Sequence, residues 1–107
     1  MKVERWDSEC DGPPTESALR RKLEQQGYTV YRYEYPPGTH FPTHTHSVDK
    51  IDIVLQGRFR ITLETESVVL QAGDSIVVPH GAAHSAEVVG AETVISLDAT
   101  RPAGVES

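Results

Sequence analysis

The sequence holds a single cysteine, Cys10, so no disulfide within the chain can staple its fold. That thiol sits among aspartates and a glutamate, which disfavour a thiolate, and it reads as a bystander in a loose arm. No apolar run approaches the roughly 18 residues of a membrane span. The opening MKVERWDSECDG also lacks the apolar stretch of a secretory signal. A soluble, cytoplasmic protein is the expectation. Basic residues are scarce too: 10 Lys and Arg stand against 16 Asp and Glu, for a net charge of -6. Binding to a phosphate backbone wants the opposite sign, so nucleic acid is not an expected partner. The one basic run, Arg20 to Lys22, reads as the solvated face of a helix.

What is present is one domain's worth of chain, 107 residues, enough for a single modest core. Residues 1–13 are polar, end in Gly-Pro-Pro and read as a flexible arm. Trp6 is its exception, an indole that wants to pack back on the domain or on a second subunit. Residues 15–26 read as a helix, with Thr15 or Ser17 to cap its start, Gly27 to stop it, and Leu19 and Leu23 on one face. From Tyr28 the period changes to two. Tyr31, Tyr33 and Tyr35 alternate with Val30, Arg32 and Glu34. Ile51, Ile53 and Leu55 alternate with Lys50, Asp52 and Val54, and Phe59, Ile61 and Leu63 with Arg58, Arg60 and Thr62. About eight short strands punctuated by Gly and Pro predict an all-β barrel or sandwich over residues 28–98. The domain is placed at residues 14–100, with a frayed tail at 101–107.

Three of the five histidines fall between Gly38 and Gly57: His40, His44 and His46. His44 and His46 are two apart, which on a strand aims both imidazoles at one face. Two imidazoles so placed are half of a metal site. His84 opens a later strand, after a turn built on Pro79 and Gly81, and a third nitrogen from there would complete a facial set. Spacing alone leaves open whether these side chains are ligands or solvated.

The same stretches resemble two motifs of the cupins. In G(X)5HXH(X)3-4E(X)6G, Gly38, His44, His46 and Gly57 fall in register. In G(X)5PXG(X)2H(X)3N, so do Gly73, Pro79, Gly81 and His84. The resemblance implies a jelly-roll β-barrel, here with a short N-terminal helix. It also implies a divalent first-row metal (Fe, Mn, Ni, Zn or Cu) on His44, His46 and His84. A homodimer is implied, as is a small-molecule ligand inside the barrel. The chain departs from the pattern twice: Lys50 stands at the glutamate ligand and Val88 at the terminal asparagine.

A protonated lysine repels a metal, so three readings of Lys50 stay open. It swings out or pairs with Asp52 on its own strand face, leaving a three-histidine site, with Asp49 a further candidate of the wrong parity. It works in the pocket as a catalytic group, its pKa lowered by burial and a cation, serving as a base or as an anchor for an anionic substrate. Or no metal binds, and Lys50 and the histidines line a pocket for a small acid. His40 and His80 read as solvated, with His40 near the barrel mouth. The tyrosine row reads as core or subunit interface ahead of pocket lining. For function, two classes follow: a metal-dependent enzyme of the dioxygenase, isomerase or decarboxylase kind, or a non-catalytic protein that binds or senses an organic acid or sugar.

Overall fold

The strands assemble as two antiparallel sheets that face each other. In the computed structural model, which describes residues 1–6, 9 and 12–102, the elements run β1 (Lys2–Glu4), α1 (Glu16–Gln25), β2 (Thr29–Tyr35), β3 (His40–His44), β4 (Val48–Gln56), β5 (Arg58–Leu63), β6 (Glu66–Leu70), β7 (Ser75–Val78), β8 (His84–Val89) and β9 (Val94–Pro102). One sheet has the order β1-β7-β4-β9-β2 and the other β3-β8-β5-β6. Cys10 and residues 103–107 lie outside the described residues. No helix among those described is long and apolar enough to cross a membrane.

The period-two pattern divides the side chains of the five-stranded sheet into two layers. On the inner face Val54, Ile76, Val78 and Val94 meet Phe59, Ile61, Leu70 and Val88 of the other sheet. On the outer face Val30, Ile53, Leu97 and Ala99 pack with Tyr28 under Leu19 and Leu23 of α1. Each of those two leucines is almost fully buried, which stabilises by about 2 kcal/mol apiece and holds a helix too short to stand alone. Thr15 caps α1 by accepting from the Ala18 amide at 3.2 Å.

Two segments differ from the sequence reading. Residues 2–4, read as part of a flexible arm, form an edge strand on β7, with Val3 opposite Ile76 and packed on the core. Trp6 packs beneath the helix, donates to the Gly12 carbonyl at 2.7 Å and lies under Lys22, so its partner is its own domain. The last strand continues through Asp98-Ala99-Thr100-Arg101-Pro102, past residue 98, where the sequence pattern ends the barrel. Its polar composition looks like a tail, but β9 pairs with β4 through Pro102 and with β2 as far as Thr100.

Gly57, between β4 and β5, has φ +84°, and a Cβ there would lie 2.9 Å from the Thr93 carbonyl oxygen. The left-handed backbone and the backbone clash add, so Gly57→Ala is expected to lose roughly 2–4 kcal/mol. A lower urea midpoint at unchanged slope would report it.

Candidate metal centre

His44 is the last residue of β3 and His84 the first of β8, and the two are cross-strand partners. His46 is not on a strand at all: it lies in the connection to β4, so the two-residue spacing along one strand is not what joins the pair. The chain leaves β3 at His44, and in the irregular connection that follows His46 Nε2 comes to 3.1 Å from His44 Nε2. One ligand atom from each of His44, His46 and His84 falls within 4.8 Å of the others. With metal–nitrogen bonds of about 2.0–2.1 Å, two imidazoles on one ion sit roughly 3 Å apart. The His44–His46 spacing fits that.

The local backbone sets which nitrogen faces inward. His44 Nδ1 donates to the Pro42 carbonyl at 2.6 Å and His84 Nδ1 to the Ala82 carbonyl at 2.9 Å. A carbonyl only accepts, so both Nδ1 atoms carry the proton and both Nε2 atoms present lone pairs. Fixing a ring through its other nitrogen is how metal-binding histidines are commonly oriented. Burial holds His46 below the ordinary imidazole value, with Lys50, His44 and His84 adding to it. Burial likewise lowers His84, against the bond to Ala82 and with help from His44 and Lys50. Lowered values favour neutral rings, the form that ligates. His84 Nε2 is buried and has no hydrogen-bond partner. An unsatisfied buried acceptor costs about 1–3 kcal/mol, and a divalent cation at the shared focus of the three nitrogens would satisfy it. Three imidazoles suit the borderline first-row metals. The residues present therefore fit a metal.

Beside the histidines runs a polar strip on the inner face of the five-stranded sheet. Lys50 Nζ lies 3.3 Å from Asp52 Oδ1 and 3.2 Å from Asp98 Oδ2. Asp52 and Asp98 face each other across β4 and β9. Ser96 Oγ donates to Asp98 Oδ1 at 2.9 Å, and the Tyr35 hydroxyl reaches Oδ2 at 3.4 Å. Burial, then the charge of Asp98, raises the Tyr35 phenol, which stays a neutral donor. Burial opposes the Lys50 ammonium, but Asp52 and Asp98 outweigh it and lift its pKa above the ordinary lysine value. Burial, then Asp98, pushes Asp52 up to about 7 against the pull of Lys50. One ammonium thus stabilises two facing carboxylates incompletely. Asp52 Oδ1 shows it: the contact is ionic, and that oxygen is buried without a hydrogen bond.

This is the pairing of the first reading of Lys50, with Asp98 as a second partner. A working base needs a lysine pKa brought down toward neutrality, and here it is raised, because carboxylates are the nearest charges. What Lys50 retains from the second reading is a fixed positive charge in the cavity. Asp49 points elsewhere, accepting from exposed His80 at 2.8 Å. His40 is exposed at the start of β3, and neither it nor His80 joins the cluster. Val88, at the family's asparagine position, is core.

Asp98 is the site residue that sequence reasoning missed. Its signal was the alternation of Ser96, Asp98 and Thr100 with Leu97 and Ala99, which puts the polar row on the Lys50 face. Since Asp52 is disfavoured as a carboxylate, stability should fall as pH rises from about 4 to 7, where the folded chain holds a proton that the unfolded chain releases. Asp52→Asn is expected to gain on the wild type across that window, read by urea melts at pH 5 and 8.

The cavity measures about 200 Å³ and is walled by Tyr35, Phe41, Phe59, Ile61 and Ala86 around the histidines, Lys50, Asp52 and Asp98. That is room for about six waters' worth of ligand. The tyrosine row divides, with Tyr35 between the sheets, packed on the core against Phe41 and Phe59 of the facing sheet. Tyr35 lines this cavity, whereas Tyr31 and Tyr33 are 51% and 44% exposed in a groove at its mouth. β2 is an edge strand of its sheet, and Tyr31 and Tyr33 on it stay exposed.

The chain resembles several solved structures. KdgF from Halomonas sp. superposes with a TM-score of 0.61 at 27% identity, over 68% of each chain. A cupin protein from Bacteroides fragilis gives 0.67 at 25% identity, over 83% of this chain and 77% of that one. The DMSP lyase DddQ from Ruegeria pomeroyi gives 0.65 over 75% of this chain and 41% of that one, and at 22% identity it speaks for the fold alone. The search of curated proteins finds no match. Residues 31–100 match the family model of the cupin domain. With two facing sheets, a histidine cluster between them and well over half its length matched to that model, the chain belongs to the cupin family.

Proposed function

We propose that this cupin binds one divalent first-row metal through Nε2 of His44, His46 and His84, and uses it to hold a small anionic ligand in the cavity. The observation that carries this reading is His84 Nε2, a buried lone pair with no partner, beside two further imidazole nitrogens. Three protein ligands leave positions open for a ligand with adjacent oxygens. When bound, the metal would supply Lewis-acid polarisation or a site for dioxygen. Lys50, kept as an ammonium by Asp52 and Asp98, offers the ligand a positive charge. Phe41, Phe59, Ile61 and Ala86 keep that end of the cavity dry.

The reading covers dioxygenase, isomerase or decarboxylase chemistry. One observation favours the second reading, a protein that binds an organic acid without turnover. The ionisable groups beside the histidines, Lys50, Asp52 and Asp98, are engaged with one another, which leaves the cavity poor in free acid–base groups. Pairing into homodimers is proposed on family grounds, through a surface other than Trp6.

The test is metal analysis of protein purified without added ions, followed by calorimetric titration with Fe, Mn, Ni, Zn and Cu. About one ion per chain and a raised melting temperature are expected. Protein that arrives metal-free and takes up none of the five would end the metal reading. Dioxygen uptake and product analysis across a panel of small acids separate enzyme from binder.

A further inference from the structure

The described surface leaves three large apolar side chains exposed, and two of them, Tyr31 and Tyr33, stand together at the mouth of the metal cavity. They are not isolated. Phe41 meets Phe59 at 6.4 Å and Tyr35 at 5.0 Å, Tyr35 meets Phe59 at 5.5 Å, and Tyr33 stacks on Tyr35 at 6.0 Å with its plane only 10° away. An aromatic wall therefore runs from the closed end of the cavity out to Tyr33, with Tyr31 next on the same strand face. Strand register puts Tyr33 beside Ser96 and Tyr31 beside Asp98, so the wall follows the edge of the polar strip that holds Lys50. The groove and the cavity share Tyr35, Phe41, His46, Lys50 and Asp98. They are two ends of one trough.

We infer that the groove is a second subsite and that the ligand is a carboxylate with an aromatic ring, its acid head at Lys50 and the histidines and its ring against Tyr31 and Tyr33. The head assignment rests on the function proposed above, and the ring assignment rests on the groove. The groove's lining decides between a ring that is flat and apolar and one that is studded with hydroxyls. Asp98 is taken by Lys50 and the Tyr35 hydroxyl, and the third N–H of Lys50 goes to the acid head, which leaves for a ring in the groove only Thr100 and the outer hydroxyls of Tyr31 and Tyr33 beside His46, against four aromatic faces. A polyhydroxylated ring would give up its water for few partners, whereas an aromatic ring would find stacking and edge contacts of the kind these side chains already make.

The experiment compares phenylpyruvate with pyruvate, two 2-oxo acids with the same head, by calorimetry on the full chain with and without zinc. Phenylpyruvate is expected to bind at least about tenfold more tightly. Tyr31→Ala and Tyr33→Ala should each remove roughly threefold to tenfold of that preference and leave pyruvate binding unchanged, which also shows that the variants are folded. Tyr31→Phe, which keeps the ring, should retain the preference. Equal affinity for the two acids overturns the inference, as does a preference that survives both alanine variants or binding of neither acid. So does a change of oligomeric state in Tyr31→Ala with the preference intact, for that would make the tyrosines a subunit contact. Should zinc fail to bind while the ring preference and its dependence on Tyr31 and Tyr33 hold in metal-free protein, the metal reading falls and the groove stands.

Discussion

Lys50→Glu is expected to give a chain that is weakly stable in EDTA and gains more from zinc than the wild type does. Among the described residues, the lysine is the one cation paired with the facing Asp52 and Asp98. Replacing it by a third carboxylate removes the compensation and adds repulsion in a place where Asp52 is already almost fully buried. Breaking a buried pair by losing one partner costs about 3–5 kcal/mol. In a domain of this size that is a fall in melting temperature of at least about 12 °C. The new carboxylate also occupies the position where cupins carry their glutamate ligand. With a divalent ion on the histidines the added negative charge becomes favourable, so affinity should rise and metal should return part of the lost stability. Thermal melts in EDTA and in a zinc series test both halves. Unchanged stability in EDTA would mean that Lys50 does not hold the carboxylates. A zinc response no larger than that of the wild type would mean that position 50 does not face the ion.

His84→Ala is expected to weaken zinc binding by about a hundredfold or more, with little loss of stability in the metal-free protein. The two effects separate because of what the ring does without metal. Its Nε2 is buried and unbonded, so removing it creates a small cavity but also deletes an unsatisfied acceptor, and these oppose each other. With metal present, one of three protein ligands is lost. Structural zinc sites of four ligands are worth about 10–16 kcal/mol, so a single ligand accounts for roughly 3 kcal/mol, or about two decades in affinity. His40→Ala and His80→Ala serve as controls. Both side chains are exposed and outside the cluster, and neither substitution should move the affinity. Calorimetric titration reads all three. A His84→Ala protein that binds zinc as tightly as the wild type would remove His84 from the site.

The parts of the site carried by local spacing were legible in the sequence. His84 follows a Pro-Gly turn, Lys50 and Asp52 share a strand face by parity, and all of them come together. What spacing does not carry is coverage. Alternation puts Tyr31, Tyr33 and Tyr35 on one face, but whether a second sheet lies over that face depends on which strand becomes an edge, a long-range fact. The same holds for Asp98. In sequence, Asp-Ala-Thr-Arg-Pro has the composition of a tail. It is a strand because β4 pairs with it throughout and β2 as far as Thr100, and because Lys50 offers Asp98 a charge. Residues 2–4 are too few to show a period, and only β7 makes them a strand. His46 corrects the opposite error. The spacing suggests a shared strand, whereas His46 lies past the end of β3, in the irregular connection to β4, and still reaches His44.

The charged strip also bears on how the chain finds its fold. β4 lies between β7 and β9, so its alignment fixes the whole five-stranded sheet. A slip of one residue would exchange its two faces. Lys50 and Asp52 would then enter the apolar layer under Leu19 and Leu23, and Ile51 and Ile53 would turn toward the histidines. Such a misaligned sheet buries an ammonium and a carboxylate with neither Asp98 nor solvent at hand, a penalty of several kcal/mol that the correct alignment does not carry. Residues that tie up the cavity's charge therefore also select, among the pairings open to an Ile- and Val-rich strand, the one that leads to a single native sheet.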